Sequence, residues 1–212
     1  MVAIQSYSKY NNLVKVEKYL GVKLQPDRSL FDSSKASSIQ PSTHLIEDLR
    51  RAKILKFASE KERSERLVSP ILSELAMLNE NEITIYSGHE LEVDKSLGLV
   101  GECDFLLTLG ENTIQVLRPP IFTVVEAKKQ DLDWGTAQCA AQMVGSTRFN
   151  ATHDINFPYI YGATTDGTTW KFLKLKNKDL IVDSDFYTIQ NLDKLLGVLQ
   201  FILNDCKKFN QK

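Results

Sequence analysis

Asp104 and, one segment later, Glu126-Ala127-Lys128 are the residues whose types and spacing could do chemistry. Side chains two apart on a strand leave the same face, so Glu126 and Lys128, which end the apolar run Ile121-Phe122-Thr123-Val124-Val125, project together. Asp104 is an acid set within the apolar segment Cys103-Asp104-Phe105-Leu106-Leu107, and an acid taken out of water needs a compensating reason to be there. Two carboxylates are hard oxygen ligands for Mg²⁺, or Mn²⁺ in its place, and the backbone carbonyl of Ala127 is a natural further ligand at a strand end. Phosphodiester hydrolysis needs an attacking water, neutralised phosphoryl oxygens and a stabilised leaving oxygen. Lys128 is the group to orient or help deprotonate that water and to offset transition-state charge. Glu-x-Lys by itself usually marks a solvated strand face; the buried strand before it and the embedded Asp104 distinguish this instance.

The elements that must position these groups follow from periodicity. A short helix is expected around Leu13 to Leu20, stopped by Gly21, followed by a Ser-, Asp- and Pro-rich stretch from Gln25 to Pro41. Ser42 or Thr43 can cap a helix through Ile46, Leu49, Ile54 and Phe57, and Ser59 can cap a second from Glu60 to Leu78, kinked at Pro70. The spacing then changes to that of strands over 83–86, 90–93, 99–109 and 121–128, with loops at 94–98 and 110–120. A helix rich in Ala, Gln and Met is predicted over 134–149, a strand pair over 158–164 and 168–175 around Thr165-Asp166-Gly167, and a closing helix over 191–207. The expected organisation is an N-terminal arm, 1–41, packed on one domain, 42–212.

Composition narrows the class. The chain has 212 residues, 42% of them hydrophobic, and a formal charge of −1, with a pI near 6.3. No global basic field exists, so nucleic-acid binding needs a local patch. Arg50, Arg51, Lys53, Lys56, Lys61, Arg63 and Arg66 form the densest basic stretch; they could track a phosphate backbone, but the preferred reading is a solvated helix face interleaved with Glu47, Asp48, Glu60 and Glu62. Cys103, Cys139 and Cys206 are widely spaced and read as reduced thiols. No stretch has the apolar length of a membrane span and no secretory start is apparent, so a cytoplasmic protein is expected. His44, His89 and His153 lack metal-ligand spacing, and Trp134 and Trp170 read as packing aromatics.

The run Gly101-Glu102-Cys103-Asp104-Phe105, the strand Val125-Glu126-Ala127-Lys128, the following helix with Gln138, and Tyr161-Gly162-Ala163-Thr164-Thr165-Asp166-Gly167-Thr168-Thr169-Trp170 together resemble the PD-(D/E)XK nuclease superfamily. The likeness extends over roughly 60–175 and is nearest to small cyanobacterial members and to the nuclease domain of type I restriction enzymes. It implies an α/β restriction-endonuclease-like core, a central mixed β-sheet flanked by helices, with Asp104, Glu126 and Lys128 as metal-binding and catalytic residues. The resemblance also implies an acid from the first core helix, for which Glu65 is chosen and Glu60 stays open. It places Gln138 near the site, with Gln142 a turn later as the weaker candidate. Glu102 shares the face of Asp104. DNA is the implied substrate and a homodimer the implied assembly. The alternative is a non-catalytic module that keeps the fold and binds nucleic acid or protein.

Overall fold

The structure, a computed structural model, describes residues 6–31, 36–55, 57–80, 82–110, 116–128 and 132–210. Within them α1 (Leu13–Leu20) begins where the Asn12 side chain accepts the Lys15 amide at 3.0 Å, and it ends at Gly21, whose φ of 68° is the left-handed conformation open to glycine. For α2 (Thr43–Leu55), Ser42 is the residue that caps: its Oγ accepts the Leu45 amide and donates to Glu74 at 2.8 Å. The next helix follows from a reciprocal capping box between Ser59 and Glu62. It runs as α3 (Glu60–Arg63), widens into a π turn (Ser64–Val68), and continues as α4 (Ser69–Leu78). In the π turn the Ser69 amide reaches back five residues to the Ser64 carbonyl. Pro70, next in line, has no N–H and its ring crowds the preceding turn. Where a simple kink was expected, the helix absorbs the proline by taking an extra residue into one turn.

The sheet is mixed and eight-stranded. Its strands are β1 (Lys23–Leu24), β2 (Ile83–Glu90), β3 (Glu102–Leu109), β4 (Ile121–Ala127), β5 (Tyr159–Thr165), β6 (Thr169–Lys176), β7 (Asp179–Val182) and β8 (Tyr187–Thr188). The order is β1-β7-β6-β5-β4-β3-β2, with β8 paired to β6. Among the described strands the pairs β1–β7 and β4–β5 are parallel; the second of these is bridged by α5 (Leu132–Thr152). The strand expected over 90–93 is instead the tail of a tight connection in which Leu91 and Val93 donate to Gly101 and Leu99. Part of the loop expected over 110–120, residues 111–115, lies outside the described residues.

Alternation along the strands divides the core in two. Phe105 and Val125 point with Leu67, Ile71, Trp170 and Leu195 toward α2, α4 and α6 (Leu192–Asn210), whereas Leu106 and Val124 point with Cys139, Met143 and Tyr10 toward α5 and α1. The described part of the first 41 residues is woven into the second layer: Tyr7, Tyr10, Val16 and Val22 are buried there, and β1 extends the sheet beside β7. Cys103, Cys139 and Cys206 are buried free thiols. Among the described residues, no helix is long and apolar enough to cross a membrane.

Candidate active site

Strand register brings the two acids together. β3 and β4 are antiparallel with Phe105 opposite Val125, and one step further along that ladder Asp104 faces Glu126. Asp104 Oδ2 accepts the Ala127 amide at 2.7 Å, which fixes the carboxylate against the end of β4. Lys128 continues the strand direction because its amide donates to the Thr165 carbonyl of β5 at 2.7 Å. Its Nζ lies 2.9 Å from Glu126 Oε1, with the Glu126 side chain only 2% exposed and that of Lys128 18%. The other Glu126 oxygen accepts Gln142 Nε2 at 2.8 Å. The three expected heads therefore converge at one edge of the sheet.

In front of Asp104 is a cavity of about 470 Å³. Glu60, Lys61, Ser64 and Glu65 form its helical wall, Ser87 and Gly88 of β2 its far side, and Glu102, Asp104 and Ala127 its floor. Gly88 has a φ of 64°, and a Cβ there would stand 3.3 Å from Glu102 Oε1, so glycine keeps that side open. Of the two helix acids, Glu60 is the one whose charge bears on both Asp104 and Lys128. Glu65, preferred from sequence, lines the same cavity but is 60% exposed and sits 3.9 Å from Lys61. Gln138 is nearly buried, yet it is Gln142, a turn later, that holds the Glu126 carboxylate.

Charge at this edge is unbalanced toward the acids. Burial first, and then the neighbouring Asp104 carboxylate, push the Glu126 pKa up to about 7 against the opposing pull of Lys128 and Gln142. Asp104 is raised as well, by burial and by Glu60 and Glu102, although the Ala127 amide and Lys128 favour its charged form. Burial works against the Lys128 ammonium, but Glu126, Glu60 and Asp104 outweigh it and its pKa is raised. Like-charged, desolvated carboxylates that repel one another are relieved by a cation between them. Among the described residues no three His, Cys, Asp or Glu side chains form a metal cage; Mg²⁺ does not need one, since it keeps several waters and takes one or two carboxylates. Asp104, Glu126 and the Ala127 carbonyl fit that donor chemistry.

The remaining candidates separate clearly. Arg50 and Arg51 are both paired with Glu47, Arg66 with Glu62 and Lys61 with Glu65, while Arg63 donates to the Asp166 carbonyl and lies over the Phe57 ring. The basic stretch on these helices is thus largely neutralised in place; Lys56 lies outside the described residues. Glu102 does share the cavity with Asp104. His44 pairs with Asp48 at the surface, His89 and His153 pack on Tyr86 and Phe149, and Trp170 is a core residue against Phe172. No family model matches this chain and no curated protein matches it either, so what the site does rests on its residues and their geometry.

Proposed function

We propose that the protein is a Mg²⁺-dependent nuclease of the PD-(D/E)XK type, hydrolysing phosphodiester bonds in DNA. The observation that carries this reading is the meeting of Asp104, Glu126 and Lys128 at one edge of the sheet, with Asp104 and Ala127 lining an open cavity. Asp104, Glu126 and the Ala127 carbonyl would hold the ion, Mg²⁺ or Mn²⁺. When bound it supplies positive charge to the phosphoryl oxygens and a more acidic water. Lys128 is the chain's own cation at the reacting centre, placed to orient the attacking water and offset charge developing on the phosphate. Gln142 holds Glu126 in one rotamer, and the Ala127 amide does the same for Asp104. Glu60 and Glu65, on the facing wall, are placed to position water or metal on the substrate side.

Asp104→Asn and Lys128→Ala should each lower Mg²⁺-dependent cleavage of DNA by roughly 10²–10³-fold while leaving the circular dichroism spectrum unchanged. Wild-type rates in either variant would remove the assignment. One observation favours the second reading, a non-catalytic module with the same fold: both Glu126 oxygens already have protein donors, one of them the Lys128 ammonium. Calorimetric titration with Mg²⁺ and Mn²⁺ separates the two, because Asp104-dependent metal binding supports the enzyme and its absence supports the module.

A further inference from the structure

The chain's net charge is −1, but its charges are not evenly spread: residues 6–24 hold four lysines, Lys9, Lys15, Lys18 and Lys23, against one acid, Glu17. Two of them border a second cavity, of about 420 Å³, formed where α1 crosses the turn between β2 and β3. Its walls are Lys9, Tyr10, Lys15, Tyr19, Ser96 and Leu97. The turn is held firm. Asp94 Oδ1 accepts Ser96 Oγ and the Leu97 amide, Asp94 Oδ2 accepts Arg148, and the Tyr10 hydroxyl donates to the Leu97 carbonyl at 2.5 Å. Lys9 lies over the Tyr10 ring at 5.0 Å, and Lys18 over the Tyr19 ring at 5.4 Å. Tyr19 itself is 53% exposed, a large aromatic left at the mouth of a basic cleft.

We infer that the cleft between α1 and the Asp94–Leu97 turn is a nucleotide subsite for single-stranded nucleic acid, with Tyr19 stacking a base and Lys9 and Lys15 meeting the phosphates. Exposed aromatics interleaved with lysines are the chemistry that binds single strands without reading sequence. On α2 and α3 several basic residues already stand beside acids, Arg50 and Arg51 beside Glu47 and Lys61 beside Glu65. The position is also apt. The Lys9 side chain packs on Gly98, and Gly98 stands six positions before Asp104, so the Lys9 end of the cleft borders a residue no more than about 20 Å from that acid. A single strand can extend well beyond the duplex rise of about 3.4 Å per nucleotide, so about six nucleotides or fewer span that distance. This extends the nuclease reading by giving the strand a second point of attachment, and it is tested without cleavage.

The test is fluorescence anisotropy of a labelled oligothymidylate of about 20 nucleotides with the full chain in EDTA, over a salt series from roughly 50 to 200 mM. Tyr19 and Lys15 are exposed positions on α1, so their variants keep the fold, which circular dichroism checks. Tyr19→Ala should weaken binding about tenfold and Tyr19→Phe should not; Lys15→Ala should reduce the slope of log affinity on log salt by about 0.7. Absence of binding by the wild type, or unchanged binding in both alanine variants, overturns the subsite. Equal affinity for a duplex, with no effect of Tyr19→Ala, overturns the single-strand assignment. Asp104→Asn should bind as the wild type does while failing to cleave, so failure of the nuclease reading shows in the cleavage assay alone.

Discussion

At the scale of single residues, Glu126 sets the site's dependence on pH. Its carboxyl is pushed from 4.5 up to about 7 by burial and by Asp104, so between those values the folded state binds a proton that the unfolded chain has released. Folding is therefore favoured at the acid end of this window and loses stability as pH rises through it. In EDTA, the melting temperature of the wild type should fall more steeply between pH 5 and about 7.5 than that of Glu126→Gln, which cannot titrate; parallel curves would show that the carboxyl is not perturbed. Glu126 and Lys128 were legible in the sequence because residues two apart share a face, and Asp104 because it is an acid inside an apolar strand; that Asp104 stands opposite Glu126 is set by the β3–β4 register. The choice between Gln138 and Gln142 was not legible. Both occupy one face of α5, one turn apart, and which of them meets Glu126 depends on how far the helix slides along the sheet. That slide is set by close approaches invisible to periodicity, such as Gly135 against Thr164 and Lys128, and Gly145 against the Tyr7 hydroxyl.

At the scale of elements, the same close approach is testable. A Cβ on Gly135 would stand 2.4 Å from Thr164 Oγ1 and 2.8 Å from Lys128 Cγ. Something must move, and Lys128 is the side chain least enclosed. Gly135→Ala should cost about 1–3 kcal/mol of stability, read from denaturant melts, and should lower cleavage by displacing the ammonium from Glu126. Full activity with a wild-type melt would mean that α5 yields without disturbing the lysine. The π turn shows what a proline signal can and cannot tell. Pro70 announces an irregular helix, but whether the chain kinks or widens is decided by packing: Leu67 and Val68 are fully buried, Leu67 directly beneath Gly167, and the extra residue allows both to reach the core while Ser64 and Glu65 face the cavity. Long strands with strong alternation were readable. β1, β7 and β8 were not, since two to four residues carry no period, and β1 acquires its identity only by lying parallel to β7 more than 150 positions away.

At the scale of the whole molecule, the opening residues are structural. Tyr7, Tyr10, Val16 and Val22 are at most 5% exposed, and burial of such side chains is worth about 1.5–3 kcal/mol each, together about 6–12 kcal/mol. A domain's entire margin is about 5–15 kcal/mol. A chain starting after Leu24 should therefore lose its cooperative thermal transition and bind a hydrophobic dye; a sharp melt near that of the full chain would show the segment to be dispensable. The layer these residues cover is built around α5. From Gly135 to Ser146 every residue of that helix is buried, with β4, β5 and α1 packed against it. Amides so placed exchange with deuterated water only when the whole protein opens, so the 137–146 backbone should be the last to label and Glu60–Glu65, on an exposed helix, among the first. The site around Asp104 and Glu126 would then have one unyielding side, where Gln142 fixes the buried acid, and one compliant side, Glu60–Glu65, able to shift around whatever enters.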